Sequence, residues 1–300
     1  MTDTYDLIII GTGPAGMTAG IYAARSKLKT LVIGGVLGGT ANSISYLENW
    51  PGFRGKGVDL MKRFYEQLNL YDIEVVLGEV QNVEKKGKGF SVKTLDKEFE
   101  SKAVILATGI KRENLKIPGE EKFVGKGISY CATCDGFFYK DRGVAFVARE
   151  DCNPEEILAL AKITRKVYVI TTGKRMKCEN EIKKFPEKGK IEIIPNSVVE
   201  EILGKEKVEG IKVKTGKGTK ELIVDGIFVG MGSLAFTKFA KSLKLKLDKE
   251  NNIIVDEQMK SSVPGVFAAG DVTNSKVRQV LTASSQGAVA AKSVNDWLKE

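Results

Sequence analysis

The chain has 300 residues, with 47 Lys+Arg against 38 Asp+Glu, four cysteines and no histidine. Imidazole is the commonest general base and the commonest metal ligand, so Ser-His-Asp hydrolysis, mixed Cys/His zinc sites and haem on a proximal His are excluded. The length suggests about two domains, and 42% hydrophobic with 28% charged residues describes a globular chain.

Tyr5 to Ile10 reads as a buried strand, Gly11-Thr-Gly-Pro-Ala-Gly16 as a turn, Met17 to Ser26 as a helix and Leu28 to Ile33 as a second strand. In this βαβ setting the G-x-G-x-x-G points to a dinucleotide. Gly11 permits the tight turn, Gly13 admits a pyrophosphate, Gly16 lets helix and strand pack, and the helix N-terminus attracts phosphate. The uncharged run Leu7 to Ala24 is long enough to mimic a membrane span, but its glycines favour strand then helix. Short alternating segments at Glu74–Val76, Glu79–Val83, Phe90–Thr94 and Lys97–Glu100 read as a meander ending in Ala103–Gly109.

The second half repeats the plan, an internal duplication. Gly143 to Val147 is a strand, Pro154 to Lys162 a helix and Lys166 to Ile170 a strand. A meander follows at Ser197–Ile202, Val208–Lys214 and Glu221–Val224, closing in Asp225–Gly232. Pro264 to Asp271 is strand and turn, and Gln279 to Trp297 a helix that rejoins the first domain. The expected fold is α/β: two Rossmann-like three-layer nucleotide-binding domains, the second (115–244) inserted in the first (1–114 and 245–300).

Residues 115–244 hold 25 Lys+Arg and 18 Asp+Glu, +7 of the total +9. A basic domain can steer an acidic partner, although a solvated lysine-rich surface explains the same numbers. No recognition helix or aromatic platform suggests nucleic acid.

Cys131 and Cys134 form C-x-x-C, while Cys152 and Cys178 stand alone. No further close pair completes a zinc site or an iron–sulfur cluster, so the pair is a redox candidate in a reducing compartment. At a helix start the dipole lowers the pKa of the first thiol, and thiolate is the species that exchanges. Asp135 is the obvious proton donor beside it, provided burial raises its pKa. The acidic N-terminus lacks a basic n-region, so no secretory signal is expected and the location expected is cytoplasmic.

Ser129-Tyr-Cys-Ala-Thr-Cys-Asp-Gly-Phe-Phe138, together with Gly11–Gly16, Glu48–Gly52, Ala107–Gly109, Gly270-Asp271 and Val277–Val280, resembles the low-molecular-weight thioredoxin reductases over nearly the whole chain. The resemblance implies FAD in the first domain, a Cys131–Cys134 redox disulfide in the second, and a homodimer. It implies FAD contacts from Gly11, Gly13, Pro14, Ala15, Gly16, Gly34, Gly35, Gly39, Thr40, Asn49, Thr108, Gly109, Gly270, Asp271, Arg278, Gln279 and Val280. It makes Cys134 the flavin-side sulfur, Cys131 the thiol that attacks thioredoxin, and Asp135 the acid. Two mild departures are Gly34-Gly35, where an acidic residue often closes the second strand, and Thr40, where Gln is frequent.

The larger departure lies in the second domain. Val147-Ala-Arg-Glu-Asp-Cys-Asn-Pro154 stands where a glycine-rich turn would hold NADPH, and Glu150 and Asp151 put negative charge where phosphates would sit. Thr171, Thr172 and Gly173 replace the His-Arg-Arg that grips a 2′-phosphate, leaving displaced Lys174 and Arg175. The expectation is FAD without NADPH, with electrons from ferredoxin or flavodoxin, as in the ferredoxin-dependent branch of the family. The alternatives are an NAD(P)H-dependent reductase with an atypical grip, a ferredoxin–NADP reductase of the same fold, and a flavin-bearing binding or sensing module.

Overall fold

The structure, a computed structural model, describes residues 4–44, 46–112, 114–150, 154–187, 189–231 and 233–300. Cys152 and Asp151 lie outside the described residues, as does Gly232.

Strand β1 (Thr4–Ile10) leads into α1 (Pro14–Arg25), and β2 (Thr30–Gly34) returns parallel to β1, pairing Leu7 with Thr30 and Ile10 with Ile33. Pro14 opens the helix where a missing N–H costs nothing. Helix α2 (Gly57–Asn69) follows, an element the sequence pattern did not yield: Leu60, Met61 and Leu68 are buried between exposed charged residues. Next come β3 (Glu74–Leu77), β4 (Asn82–Lys86), β5 (Gly89–Lys93) and β6 (Glu98–Leu106). The expected meander is corrected at both ends. β3 pairs in parallel with β2 and belongs to the nucleotide-type sheet. The segments Lys97–Glu100 and Ala103–Gly109 merge into one strand, β6, antiparallel to β5 yet parallel to β1.

Strand alternation explains the layers. Leu7 and Ile9 meet Ala15, Ala19 and Ala23 of α1, whereas Ile8 and Ile10 meet Phe90, Val92 and Phe99 on the other face. Each fully buried Leu or Ile side chain contributes about 1.5–3 kcal/mol.

The second unit includes β7 (Ile128–Ser129) and α3 (Ala132–Asp135), then β8 (Gly143–Ala148), α4 (Pro154–Ile163), β9 (Lys166–Thr171) and β10 (Ile191–Ile194). Strands β11 (Ser197–Leu203), β12 (Gly210–Thr215) and β13 (Gly218–Leu222) make an antiparallel sheet, and β14 (Gly226–Gly230) returns to the parallel one, whose order is β7-β14-β8-β9-β10. Ala145 and Val147 face the meander, Val144 and Phe146 face Ile157 and Leu160 of α4. The three-layer plan of the first unit is thus repeated.

The chain then supplies β15 (Val266–Ala268), parallel to β6, and α5 (Val280–Trp297), which crosses α1 so closely that a Cβ on Gly287 would strike the Ala15 carbonyl. Among the described residues, no helix is long and apolar enough to cross a membrane. The Leu7–Ala24 run is β1 and most of α1.

The compact units are Met1–Lys111 with Leu234–Glu300, and Arg112–Ser233. The expected boundary at 244/245 moves because Ala235, Phe239 and Leu243 pack into the core shared with Ile8 and Val83. This shift removes the charge asymmetry. Lys238, Lys241 and Lys244 pass to the first unit, which carries 24 Lys+Arg against 19 Asp+Glu, while the second carries 23 against 19. The excesses are therefore nearly equal, and charge no longer marks the second unit as the docking side for an acidic partner.

Candidate functional site

In the first unit the parallel strands β1 and β6 and strand β15 end together. Ala107 N–H donates to Ile10 O and Ala269 N–H to Leu106 O, so the turns after these strands share the sheet edge where α/β folds bind ligands. Gly11 has φ +125°, and a Cβ on it would collide with the Ala107 carbonyl; a Cβ on Gly16 would collide with the Gly11 carbonyl. Gly13, Gly35 and Gly109 are different: nothing lies within 4 Å of the Cβ each lacks. Helix α1 starts at Gly13 with no side-chain cap and no acidic residue in its first turn. An uncapped helix N-terminus beside open backbone is the environment that a pyrophosphate needs.

The other expected FAD residues are placed as follows. Gly39 stands against Gly13, 3.4 Å from its Cα to the Cβ position, and Thr40 follows in the same 3-10 turn, Gly39–Ser43. Gly34 is covered by Thr12, which donates its hydroxyl to Val36 O at 2.8 Å, so Gly35 and not Gly34 is the open position after β2. Asn49 Nδ2 donates to Gln279 Oε1 at 2.8 Å, joining positions 230 residues apart. Gln279 caps α5 in a reciprocal capping box with Thr282, and Val280, its first residue, packs on the cluster of Met17, Ile21 and Ala41. Thr108 and Gly109 both bond the Phe236 backbone, at 2.8 and 3.0 Å. Gly270 N–H donates to Gln286 Oε1 at 2.7 Å, and half-buried Asp271 follows it. Arg278 Nη2 donates to Asn252 Oδ1 at 2.8 Å, in a loop where Asp248 is held below the usual carboxylate range. Burial opposes that shift; hydrogen bonds from Asn252 and the nearby Arg278 charge outweigh it. The residues present fit FAD: the cradle is open where Gly13 and Gly35 need it open and closed where Gly11 and Gly16 pack.

In the second unit Cys131 and Cys134 form a disulfide with Cα atoms 5.3 Å apart. Helix α3 between them is a single turn, too short for the macrodipole expected to tune the first thiol. The groups nearest that sulfur are local: Cys134 N–H points at Cys131 Sγ at 3.2 Å, and the Thr133 hydroxyl lies 3.4 Å from it. Ser129 Oγ accepts the Cys131 N–H at 3.1 Å and donates to Asp135 Oδ2 at 2.6 Å. Half-buried Tyr139 lies beyond. Its phenol is pushed up to about 12 by burial and, secondarily, by the Asp135 charge. Ser129 and Tyr139 carried no signal as site residues beyond their nearness to C-x-x-C. Buried Glu120, which accepts the Tyr130 hydroxyl at 2.7 Å and the Leu115 and Lys116 N–H groups, carried none at all.

In the second unit the described residues after β8 and β9 lie against one another. A Cβ on Gly173 would fall 2.6 Å from the Glu150 carboxyl carbon, so the Glu150 side chain lies directly on Gly173. Glu150 O also accepts the Lys177 N–H at 2.8 Å, tying the loops after β8 and β9 together. Glu155 and Glu156 add acid to the first turn of α4, and Thr171 is buried with its hydroxyl toward Gly173 N–H. Lys174 and Arg175 are exposed, and Cys178 is buried beside Met176 and Ile182.

A paired thiol site and an open flavin-type cradle on two Rossmann-like units define a flavoprotein disulfide oxidoreductase, and known proteins agree. The family model described as pyridine nucleotide-disulphide oxidoreductase matches residues 5–287. A thioredoxin reductase of Listeria innocua is 37% identical over 303 residues, covering 99% of this chain and 94% of that one. The solved thioredoxin reductase of Streptococcus pyogenes superposes with a TM-score of 0.93 at 36% identity, covering 100% and 99% of the two chains. A ferredoxin-flavin thioredoxin reductase structure from Clostridium acetobutylicum gives 0.55 at 31% identity, covering 100% and 99%. The chain belongs to the pyridine nucleotide-disulphide oxidoreductase family, in its low-molecular-weight thioredoxin reductase group. Its class of activity is flavin-dependent thioredoxin-disulfide oxidoreduction.

Proposed function

We propose that this chain reduces the disulfide of a thioredoxin with electrons from reduced ferredoxin or flavodoxin, without NADPH. The observation that carries the reading is the Glu150 side chain seated on Gly173, in the place where a nucleotide-binding turn needs bare backbone. An incoming phosphate would meet a carboxylate there, and at about 4 Å each like-charge contact costs on the order of 1 kcal/mol in water and several near a protein surface. Similarity to the Clostridium acetobutylicum enzyme, described as a ferredoxin-flavin thioredoxin reductase, adds support. A second reading, an NAD(P)H-dependent reductase, is favoured by the family's description and by relatives described simply as thioredoxin reductases.

When bound, FAD supplies the conversion between single-electron donors and two-electron disulfide chemistry. The chain's own residues provide the rest. Gly11, Gly13, Gly16 and Gly35 with the α1 N-terminus would hold the pyrophosphate, while Thr40, Asn49, Gln279 and Val280 would border the flavin. Cys131 is the attacking thiolate, Cys134 resolves the mixed disulfide, and Asp135 donates the proton. A homodimer completes the reading; sedimentation of the holoprotein checks it.

The test is anaerobic mixing of the oxidised yellow protein with NADPH, NADH or reduced ferredoxin, following flavin absorbance. Bleaching by ferredoxin, coupled to thioredoxin reduction, is expected. Rapid bleaching by either pyridine nucleotide would overturn the reading.

A further inference from the structure

We propose that Ser129 is a positioning residue for Asp135, anchoring the acid of the thiol exchange to the Cys131 peptide in both of its protonation states. The proposal rests on the disulfide-exchange half of the reading above and is independent of the electron donor.

Ser129 ends β7 and is buried, 5% exposed, two residues before the redox disulfide. Three partners surround its Oγ: Asp135 Oδ2 at 2.6 Å, Cys131 N at 3.1 Å and Cys131 O at 3.3 Å. A hydroxyl has one proton to give and two lone pairs to receive. With Asp135 ionised, Ser129 accepts the Cys131 N–H and gives its proton to the carboxylate. With Asp135 protonated, the acid's O–H donates to Oγ and the Ser129 proton turns to Cys131 O. The Cys131 N–H keeps its acceptor in both states, and the carboxyl keeps its anchor. Asp135 N–H donates to the same Cys131 carbonyl at 3.1 Å, closing the loop from the other side.

The exchange demands such an anchor because the acid changes state during it. The Cys131 thiolate attacks one sulfur of the acceptor disulfide. An S–S bond to the acceptor forms as the acceptor's own bond breaks, and the leaving thiolate takes the Asp135 proton. Asp135 then receives the Cys134 proton, Cys134 attacks Cys131 Sγ, and the second acceptor thiolate leaves with that proton. The enzyme dithiol is oxidised by two electrons and the acceptor disulfide reduced by two. Around Asp135, Tyr139 stays neutral because its phenol titrates only near 12, with Arg142 opposing and Asp225 reinforcing the upward shift. Helix α4 meets this turn at Gly136 with apolar Leu160 and Ile163.

Holoprotein reduced with dithionite and mixed once with oxidised thioredoxin isolates this half-reaction; acid quench and thiol labelling give its rate across pH. A general acid contributes roughly 10²–10⁴-fold, so Ser129→Ala is expected to slow the exchange about tenfold through misplacement alone. Ser129→Thr retains the rate, and Ser129→Ala adds no loss in an Asp135→Asn background. An undiminished rate in Ser129→Ala, or the same tenfold loss in that background, overturns the proposal. Should Ser129→Ala fail to hold flavin, Asp135→Glu decides: a carboxyl displaced by one methylene from the Ser129 hydroxyl must slow the exchange, and a wild-type rate there overturns the proposal.

Discussion

The turns after β1 and β8 begin from the same plan and end in opposite states. Both follow a buried parallel strand and precede a helix with proline in its first turn. At the first, Gly13 has open space where a side chain would be and α1 begins without acid. At the second, Glu150 fills the ground over Gly173 and α4 opens with Glu155 and Glu156. On the proposed function, fold conservation between the two units does not carry ligand conservation. A three-layer sheet is held by its buried faces, and those are intact in both. A dinucleotide site is held by what the turns leave out, and the proposal of no NADPH rests on Glu150 covering Gly173.

Variants can break that comparison. The largest effect is expected from Cys134→Ser, which abolishes thioredoxin reduction while the flavin still bleaches with its donor; loss of both steps would mean that the units do not divide the work as proposed. Gly13→Val should come next. Its side chain enters free space, so folding persists by circular dichroism, but the flavin-to-protein ratio of the purified protein collapses. Full retention of flavin would show that the open position is not the cradle.

Smaller effects probe the second turn. Gly173→Ala displaces the exposed Glu150 side chain and should cost about 0.5 kcal/mol of stability in denaturant unfolding. Glu150→Ala in the same chain should recover most of that loss, and simple additivity would contradict the packing. Glu150→Ala alone should change stability little and leave NADPH without detectable binding, since Thr171 and Thr172 still offer no cation for a 2′-phosphate. Saturable NADPH binding by that variant would make Glu150 the sole obstacle.

Much of this was legible in the sequence because glycine and cysteine patterns are local. The βαβ unit from Tyr5, the second copy from Gly143 and the C-x-x-C turn depend on neighbours in the chain. Helix α2 was not legible, since its apolar stripe of Leu60, Met61 and Leu68 is interrupted by lysine, arginine and glutamate. Nor was the parallel pairing of Glu74–Leu77 with β2, because alternation does not reveal strand direction. The expected boundary at 244/245 failed for a similar reason: Phe239 and Leu243 look like any short apolar segment until the core they enter is known. The Ser129–Asp135 bond required the turn to close, which no spacing rule describes. The charge argument failed with the boundary on which it depended.

The most direct test of the contrast between the turns is calorimetric titration of oxidised holoprotein with NADPH. The account predicts no saturable heat up to about 1 mM, a limit of roughly 4 kcal/mol of binding free energy. A dissociation constant in the micromolar range, competed by adenosine 2′,5′-bisphosphate, would contradict it.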